Sequence, residues 1–425
     1  MENTWPYRVD GEIGRIEFPT YRVVQGKTPL YDTARELFPP LGCWERYETR
    51  GFKELAFIRG VTEQSYRKTA LWLNRLRHQD EATGSTTLRV GAEREGRHVL
   101  DCLERTSAEN LQHAGFDATG QPLASTTFRP NEAELMSAGE IKAALDACEL
   151  TEAEREDVER NPVPYELPGE TVNVSVDDVL VKRQKPQRTQ TDGPNEKEAE
   201  EVGTGRKYVH NTVAHLQHET QSYHIVGHGV PAVLRILLSV LLTNDLMGKR
   251  LQFFVDGQKT LQSAILKAFA WFGNVGLILD WYHLEDKCAR QLSLAMKGTE
   301  LRNEALSTLS ALLWYGRVDS ANAFLQELPA AHLKNPDAIR VLTDYLERHR
   351  PYLPCYAVRK RLGLRNSSNI GEKMNDLLVS DRQKHKGMSW SPNGSIALAA
   401  LEALKRNHEY QHWFEYHEIA MKQVA

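Results

Sequence analysis

Acidic residues end or interrupt two strand-like runs in this chain. Residues 253–255 form a short apolar run that Asp256 ends, and residues 171–182 alternate valine with polar residues around Asp177 and Asp178. Acids are poor strand residues, and ligands bind beyond the carboxyl ends of strands in open α/β sheets. The pattern therefore predicts a ligand site built from carboxylates at one edge of a sheet.

Each of these acids also has a plainer interpretation. Aspartate is a preferred N-cap, so Asp256 fits the start of the following helix equally well. Asp177 fits an edge strand whose carboxylate faces water. On the residues alone these alternatives stay open.

The neighbouring patterns supply the elements that would position the acids. Apolar residues recur at helical spacing over 261–272, and a second apolar run over 275–279 ends at Asp280. Strands are predicted over 207–216 and 221–226, and Pro231 opens a helix to about residue 246. The order β-β-β-α-β-α-β places Asp177 on the first strand and Asp256 on the fourth, which predicts a mixed-sheet α/β fold.

The remainder of the chain after residue 283 is predicted to be almost wholly helical. Glu372 lies near the start of a predicted helix over 370–380, and a last helix is predicted over 395–406. The surroundings of Glu372 are basic. The eight basic residues are Arg359, Lys360, Arg361, Arg365, Lys373, Arg382, Lys384 and Lys386.

A β-rich segment over residues 1–50 precedes a helical region. A short helix over 52–59, a tight turn and a second helix capped by Thr62 have the outline of a helix-turn-helix DNA-binding unit. The second helix would expose Arg67, Lys68, Arg75 and Arg77. An ordinary helical hairpin with a solvated face fits equally well.

A second copy of that unit is suggested by a helix that Ser85 would cap. Residues 131–170 follow as an acidic helical connector with a capping box from Thr151 to Glu154.

Composition limits the class of protein. The chain has 53 basic and 57 acidic residues and a formal charge of -4, distributed unevenly. Its five cysteines form no C-x-x-C pair, its histidines between 210 and 228 match no zinc spacing, and its longest apolar stretch contains Arg235. We expect a reduced cytosolic protein without a membrane span or signal peptide.

Four motifs in order resemble bacterial insertion-sequence transposases of the Mutator-like superfamily. VSVDDVLVKRQ over 174–184 and FVDGQKTLQSAI over 254–265 are similar to the strands that carry that family's first and second aspartates. Residues 280–283 match its C/D-x-x-H motif, and residues 369–404 resemble the glutamate helix of the ISLre-like and ISKra-like groups. The resemblance covers most of residues 50–410.

The resemblance implies an RNase H-like core, in a first part over 171–283 and a last part over 365–425. A helical insertion over 284–364 would separate the two parts, and a helix-turn-helix region over 51–130 would precede them. The sequence departs from the family at Asp178, where glycine is frequent, which leaves open whether Asp177 or Asp178 is the first ligand. Its low positive charge is also unusual for a transposase.

The chemistry implied by the resemblance is that of a DDE transposase, which cuts the ends of a DNA element and joins them to target DNA. Two Mg²⁺ ions, with Mn²⁺ as a substitute, would be held by Asp177 as bridging ligand, Asp256 and Glu372. Asp280 and His283 would brace the site by hydrogen bonding or contact DNA, and a purely structural role fits this pair as well. Trp390 and the eight basic residues around Glu372 would contact DNA. The partners would be double-stranded DNA and further copies of the chain, in a bacterial cytoplasm and at the nucleoid when DNA is bound.

Alternatives remain for the third acid and for the function. Glu285, Asp286 and Glu402 are rivals of Glu372. A catalytically silent DNA-binding relative and a helical interaction protein are the competing functions.

Overall fold

The computed structural model describes residues 2–12, 14–25, 28–32, 46–78, 83–124, 126, 134–185, 207–384 and 388–423. Within these residues, no helix is both long enough and apolar enough to cross a membrane. The chain divides into two compact units. The first comprises Met1–Thr106, Val179–Asn211 and Asp376–Ala420, and the second comprises Ser107–Asp178, Thr212–Asn375 and Met421–Ala425.

Four strands form a small sheet at the start of the chain, as the β-rich composition predicts. They are β1 (Glu2–Gly11), β2 (Gly14–Gln25), β3 (Thr28–Asp32) and β4 (Arg46–Glu48), in the order β3-β2-β1-β4. β1 and β2 form an antiparallel hairpin, and β4 pairs with β1 in the parallel sense.

Three helices follow this sheet. They are α1 (Arg50–Lys53), which continues as a π-helical segment Glu54–Gly60, α2 (Tyr66–Leu76) and α3 (Ser85–His113). The N-cap of α2 is Ser65, whose hydroxyl accepts from the Lys68 N–H at 3.3 Å. The predicted cap, Thr62, instead donates its hydroxyl to the Ile58 carbonyl in the preceding turn. α3 is one helix of 29 residues, so the second two-helix copy suggested at Ser85 is not formed.

The acidic connector contains α4 (Ala138–Asp146) and α5 (Glu152–Glu159). The predicted capping box of Thr151 and Glu154 is confirmed, and Ser137 and Glu140 form another at the start of α4. Both helices are short, and these caps satisfy N–H groups of the first turn that water would otherwise have to solvate.

Five strands form the central mixed sheet, in the order β7-β6-β5-β8-β9. The strands are β5 (Thr171–Lys182), β6 (Tyr208–His218), β7 (Gln221–Gly227), β8 (Arg250–Val255) and β9 (Val275–Leu279). Helix α6 (Val230–Thr243) joins β7 to β8, and α7 (Lys259–Ala268) joins β8 to β9. The predicted order β-β-β-α-β-α-β is therefore confirmed, and the sheet is compatible with an RNase H-like core.

A run of helices follows β9. The helices are α8 (Trp281–Ala295), α9 (Thr299–Trp314), α10 (Val318–Gln326), α11 (Pro336–His349) and α12 (Tyr356–Arg361). Their apolar faces form a buried cluster that includes Leu292, Leu309 and Leu342 together with Phe254 and Ile278 of the sheet. Burial of these side chains fixes the helices on the sheet.

The C-terminal part is helical as well. Its elements are α13 (Asn369–Asn375), a π-helical segment Asp376–Ser380, α14 (Asp381–Gln383), α15 (Pro392–Arg406) and α16 (Tyr410–Tyr416). α15 begins earlier than the apolar pattern predicts, because Ser391 caps it and Pro392 suits a first helical turn.

Two buried histidines face each other across β6 and β7. His215 and His224 are register partners, their rings stack with centroids 4.8 Å apart, and their Nδ1 atoms lie 3.2 Å apart. One nitrogen must donate and the other accept, which requires that at least one ring be neutral. Burial first, and then the positive charge of Arg365, lowers the pKa of His215 to about 4.

We predict that the His215 pair makes the fold acid-sensitive. Because the folded-state pKa lies below the unfolded value, the contribution is complete above about pH 6.5 and is lost as the pH falls towards 4. Between pH 7 and pH 5 the wild type should lose about 2 kcal/mol more unfolding free energy than His215→Gln in urea titrations. His210→Gln, at an exposed position of the same strand, should follow the wild type. Equal losses in all three proteins would contradict the assignment.

Candidate active site

Three aspartates lie at the same level of three neighbouring parallel strands. Pairing of β5 with β8 sets Ser175 beside Phe254, so the same register continued by two residues sets Asp177 beside Asp256. The register of β8 with β9 sets Asp256 beside Asp280 in the same way. The carboxyl edge of the sheet therefore concentrates negative charge.

Asp177 and Asp178 point to different surroundings. The Asp178 carboxylate accepts a hydrogen bond from the Thr212 hydroxyl on β6. Asp177 accepts from the Asp178 N–H at 2.8 Å, and it is electrostatically coupled to Asp256 and His283. Of the two acids, Asp177 is therefore the one directed at the candidate site.

The pKa of Asp177 is raised above its ordinary value. The largest cause is removal from bulk water, since protein surrounds the carboxylate although one side of it is reached by solvent. The negative charge of Asp256 raises it further, while the Asp178 N–H and His283 oppose the shift. A positive ion beside Asp177 and Asp256 would relieve this cost.

Helix α13 brings Glu372 to the same edge. The Asn375 amide, one turn after Glu372, donates to Asp177 Oδ2 at 2.9 Å. Gly371 permits this approach, because a Cβ at that position would lie 2.0 Å from the Ser175 hydroxyl oxygen of β5. Sequence reasoning missed Asn375, although helical spacing from Glu372 is a signal that could have found it.

Glu372 also meets the C/D-x-x-H motif. Its Oε1 atom lies 3.1 Å from His283 Nε2, and both side chains are 34% exposed. Ligand atoms of Asp280, His283 and Glu372 lie within 4.8 Å of one another, a spacing that could hold a cation. The distances alone would allow Asp280 to bind a cation. Whether its oxygens are free to do so depends on the hydrogen bonds that they already accept.

Asp280 is fully buried and each of its oxygens accepts two hydrogen bonds. Oδ1 accepts from the N–H groups of Tyr282 at 2.8 Å and His283 at 3.3 Å, which caps α8. Oδ2 accepts from the Ser368 N–H and, at 2.7 Å, from the Ser368 hydroxyl. We therefore interpret Asp280 as a brace that ties the approach to α13 to the end of β9.

The rivals of Glu372 have other surroundings. Asp286 pairs with Arg290, and Glu285 is exposed on α8. Glu402 is buried in α15 and lies 2.8 Å from the guanidinium of Arg406, and burial raises its pKa. The carboxylates of Asp286 and Glu402 are thus already paired with guanidinium groups of their own helices.

Several residues predicted to contact DNA are buried instead, which corrects that assignment. Arg77 is 4% exposed and lies 2.9 Å from Asp10. Arg359 is completely buried and donates to Glu166 at 2.7 Å. Arg382 donates to the Val61 carbonyl at 2.8 Å and lies over the ring of Trp390, which is itself 4% exposed. Their charges and rings are committed to the fold.

The other basic candidates keep exposed side chains, with two exceptions. Arg365 is half-buried and donates to the Gln217 side chain at 2.7 Å, and Lys386 lies outside the described residues. The exposed ones are Arg67, Lys68, Arg75, Lys360, Arg361, Lys373 and Lys384. The first three share a face of α2 with exposed Leu71, Trp72 and Leu76.

Comparisons with known proteins add little. No protein-family model and no curated protein matches the chain. Among solved structures, a match is found to a chain of the "Drosophila P element transposase strand transfer complex" at 9% identity and a TM-score of 0.26, covering 91% of this chain and 87% of that chain. A similarity this low carries no argument about fold or function.

We predict that Asp280 is needed for stability at the sheet edge. Asp280→Ala leaves the Ser368 N–H and the first N–H groups of α8 without their acceptor, which should cost at least about 2 kcal/mol of unfolding free energy. Hydrogen exchange of peptides over 366–375 should become faster. Asp286→Ala on the same helix breaks only a partly exposed ion pair, so it should change stability by less than about 1 kcal/mol. Equal effects of the two variants would exclude Asp280 as a brace.

Proposed function

We propose that this protein is a metal-dependent DDE transposase that cuts DNA and joins the cut ends to target DNA. The observation that carries the proposal is the placement of Asp177 and Asp256 at the same level of adjacent parallel strands, with Glu372 on a helix hydrogen-bonded to Asp177. The motif resemblance of these three positions supports the same assignment.

The donor set fits magnesium. Asp177, Asp256 and Glu372 offer carboxylate oxygens, which Mg²⁺ prefers, whereas the oxygens of Asp280 are occupied by hydrogen bonds. Two cations held by these carboxylates would supply an activated nucleophile and would stabilise the leaving oxygen of an in-line phosphoryl displacement. The protein side chains hold and orient this set.

The remaining residues have supporting roles in the proposal. Asn375 orients the Asp177 carboxylate through its 2.9 Å hydrogen bond. His283 Nε2 lies 3.1 Å from Glu372 Oε1, so the proposal assigns His283 the placement of that carboxylate. In the cleavage step water adds to phosphorus and loses a proton, the P–O3′ bond breaks, and the 3′ oxygen leaves as a hydroxyl opposite a 5′-phosphate. In the joining step that 3′-hydroxyl loses its proton and adds to a phosphorus of the target strand, whose own P–O3′ bond breaks and whose 3′ oxygen leaves as a hydroxyl.

DNA contact is proposed for the exposed face of α2. Arg67, Lys68 and Arg75 provide the charge that phosphates attract, and exposed Leu71 and Trp72 lie on the same face. Exposed Lys360 and Lys373 of the second unit and Lys384 of the first are further cations that would attract phosphates, each within its own unit. The proposal is double-stranded DNA as the partner, with further copies of the chain.

We predict that Asp177→Asn, Asp256→Asn and Glu372→Gln each reduce Mg²⁺-dependent strand cleavage below about one thousandth of the wild-type rate. The carboxylates hold the cations, and neutral amides cannot replace them. Binding of a labelled element-end duplex without metal should persist, which separates an effect on chemistry from an effect on folding. Glu285→Gln on exposed α8 should keep cleavage. Wild-type cleavage by any one of the three site variants would remove that residue from the site.

We predict that α2 and Arg77 respond differently to mutation. Replacement of Arg67, Lys68 or Arg75 by Ala should reduce the salt dependence of DNA binding by about 0.9 for each phosphate that is no longer neutralised, with little change in stability. Arg77→Ala leaves the buried Asp10 carboxylate with one guanidinium fewer and should cost about 3–5 kcal/mol of stability. An unchanged salt dependence of DNA binding in the Arg67, Lys68 and Arg75 variants would refute DNA contact by α2.

A further inference from the structure

The turn that carries Asp256 is packed against α11. Gly257 has φ of 90°, a conformation that L side chains rarely adopt, and a Cβ there would lie 2.4 Å from the Tyr345 hydroxyl oxygen. Asp256 Oδ1 accepts from the Gln258 N–H at 2.8 Å, which closes the turn on itself. The backbone at Asp256 is therefore shaped both by its own hydrogen bond and by Tyr345, 89 positions later.

His349, one helical turn after Tyr345, contacts the same turn. Its ring is fully buried, with Nε2 3.2 Å from the Gly257 carbonyl and Nδ1 2.8 Å from the Tyr345 carbonyl. Both partners are carbonyl oxygens that can only accept, and a neutral imidazole carries one N–H, so the ring donates to one of them in each tautomer. The tautomer protonated at Nε2 is the one that donates to Gly257. The Tyr345 and His349 rings are also in contact, with centroids 4.3 Å apart.

These contacts differ from the general packing of α11. Leu342 and Leu346 are fully buried in the apolar cluster of the helical run and supply the hydrophobic contribution. A polar, hydrogen-bonded histidine at the end of such a helix adds little to that contribution. Its contact with Gly257 fixes a carbonyl adjacent to Asp256.

We propose that two side chains of α11, Tyr345 and His349, are positioning residues of the catalytic centre that hold the Asp256 turn in the geometry that a cation requires. The inference rests on the proposed function. It makes these two side chains, contributed by the helical run between β9 and α13, a required part of the centre. Tyr345 and His349 act through Gly257 and touch neither cation nor DNA.

The test compares His349→Leu and His349→Gln with Leu342→Ala in the full chain. His349→Leu removes the donor to Gly257, so Mn²⁺ affinity by titration calorimetry and Mg²⁺-dependent cleavage should fall about 10–100-fold. Exchange of amide hydrogens over 256–260 should accelerate. His349→Gln keeps a donor, so it should recover part of the Mn²⁺ affinity, part of the cleavage rate and part of the slow exchange over 256–260.

Leu342→Ala controls for weakened packing. It should lower the melting temperature at least as much as His349→Leu, since it opens a cavity in the cluster. At temperatures well below melting it should leave Mn²⁺ affinity and exchange over 256–260 at wild-type values.

The outcomes separate this inference from the proposed function. Equal Mn²⁺ affinity and exchange in His349→Leu and Leu342→Ala would overturn the positioning role while leaving the proposed function intact. A wild type that binds no Mn²⁺ and cuts no DNA would overturn the proposed function. In that case, unchanged exchange over 256–260 in His349→Leu would overturn the role of His349 in the turn as well.

Discussion

Repulsion among three aspartates at the same level of three parallel strands is the constraint on which the second unit depends. The parallel registers place Asp177, Asp256 and Asp280 side by side. Like charges at such spacing are costly unless each is compensated. Asp280 is compensated by hydrogen-bond donors and Asp256 by exposure to solvent. Asp177 is compensated only in part, by the Asp178 N–H and the Asn375 amide, so its pKa stays raised.

This division separates a structural acid from acids that can hold a ligand. Asp280 has no remaining capacity to bind a ligand, since each of its oxygens already accepts two hydrogen bonds. Asp280 and the acids that can hold a ligand are nevertheless linked through α13. Ser368 ties the approach to that helix to Asp280, and Asn375 ties its end to Asp177, so Glu372 is carried between two attachments to the sheet edge.

Local patterns predicted much of this arrangement from the sequence. Period-two valines identified β5, and a capping box identified α5, because both signals come from residues close together in the chain. The contacts of the site could not be predicted in the same way. Asn375 meets Asp177 across 198 positions, and His349 meets Gly257 across 92. The sequence predicted the wrong N-cap for α2 because Thr62 and Ser65 are both of residue types that favour this position. The Thr62 hydroxyl donates to the Ile58 carbonyl instead, and Ser65 caps the helix.

The buried arginines show that residues in a basic stretch of the sequence are not all exposed in the fold. Arg359 lies among basic residues in the sequence, but its partner Glu166 is 193 positions away, so its neutralisation is invisible in the local pattern. Separating such a buried pair would leave two uncompensated charges, and this cost holds the Arg359 guanidinium beside Glu166. The same guanidinium donates to the Arg365 carbonyl at 3.0 Å, and the next residue, Asn366, donates to Tyr356 at 2.8 Å. Arg359 is therefore joined to the carboxyl edge of the sheet through the segment that leads to Ser368 and α13, and its burial holds that segment in place.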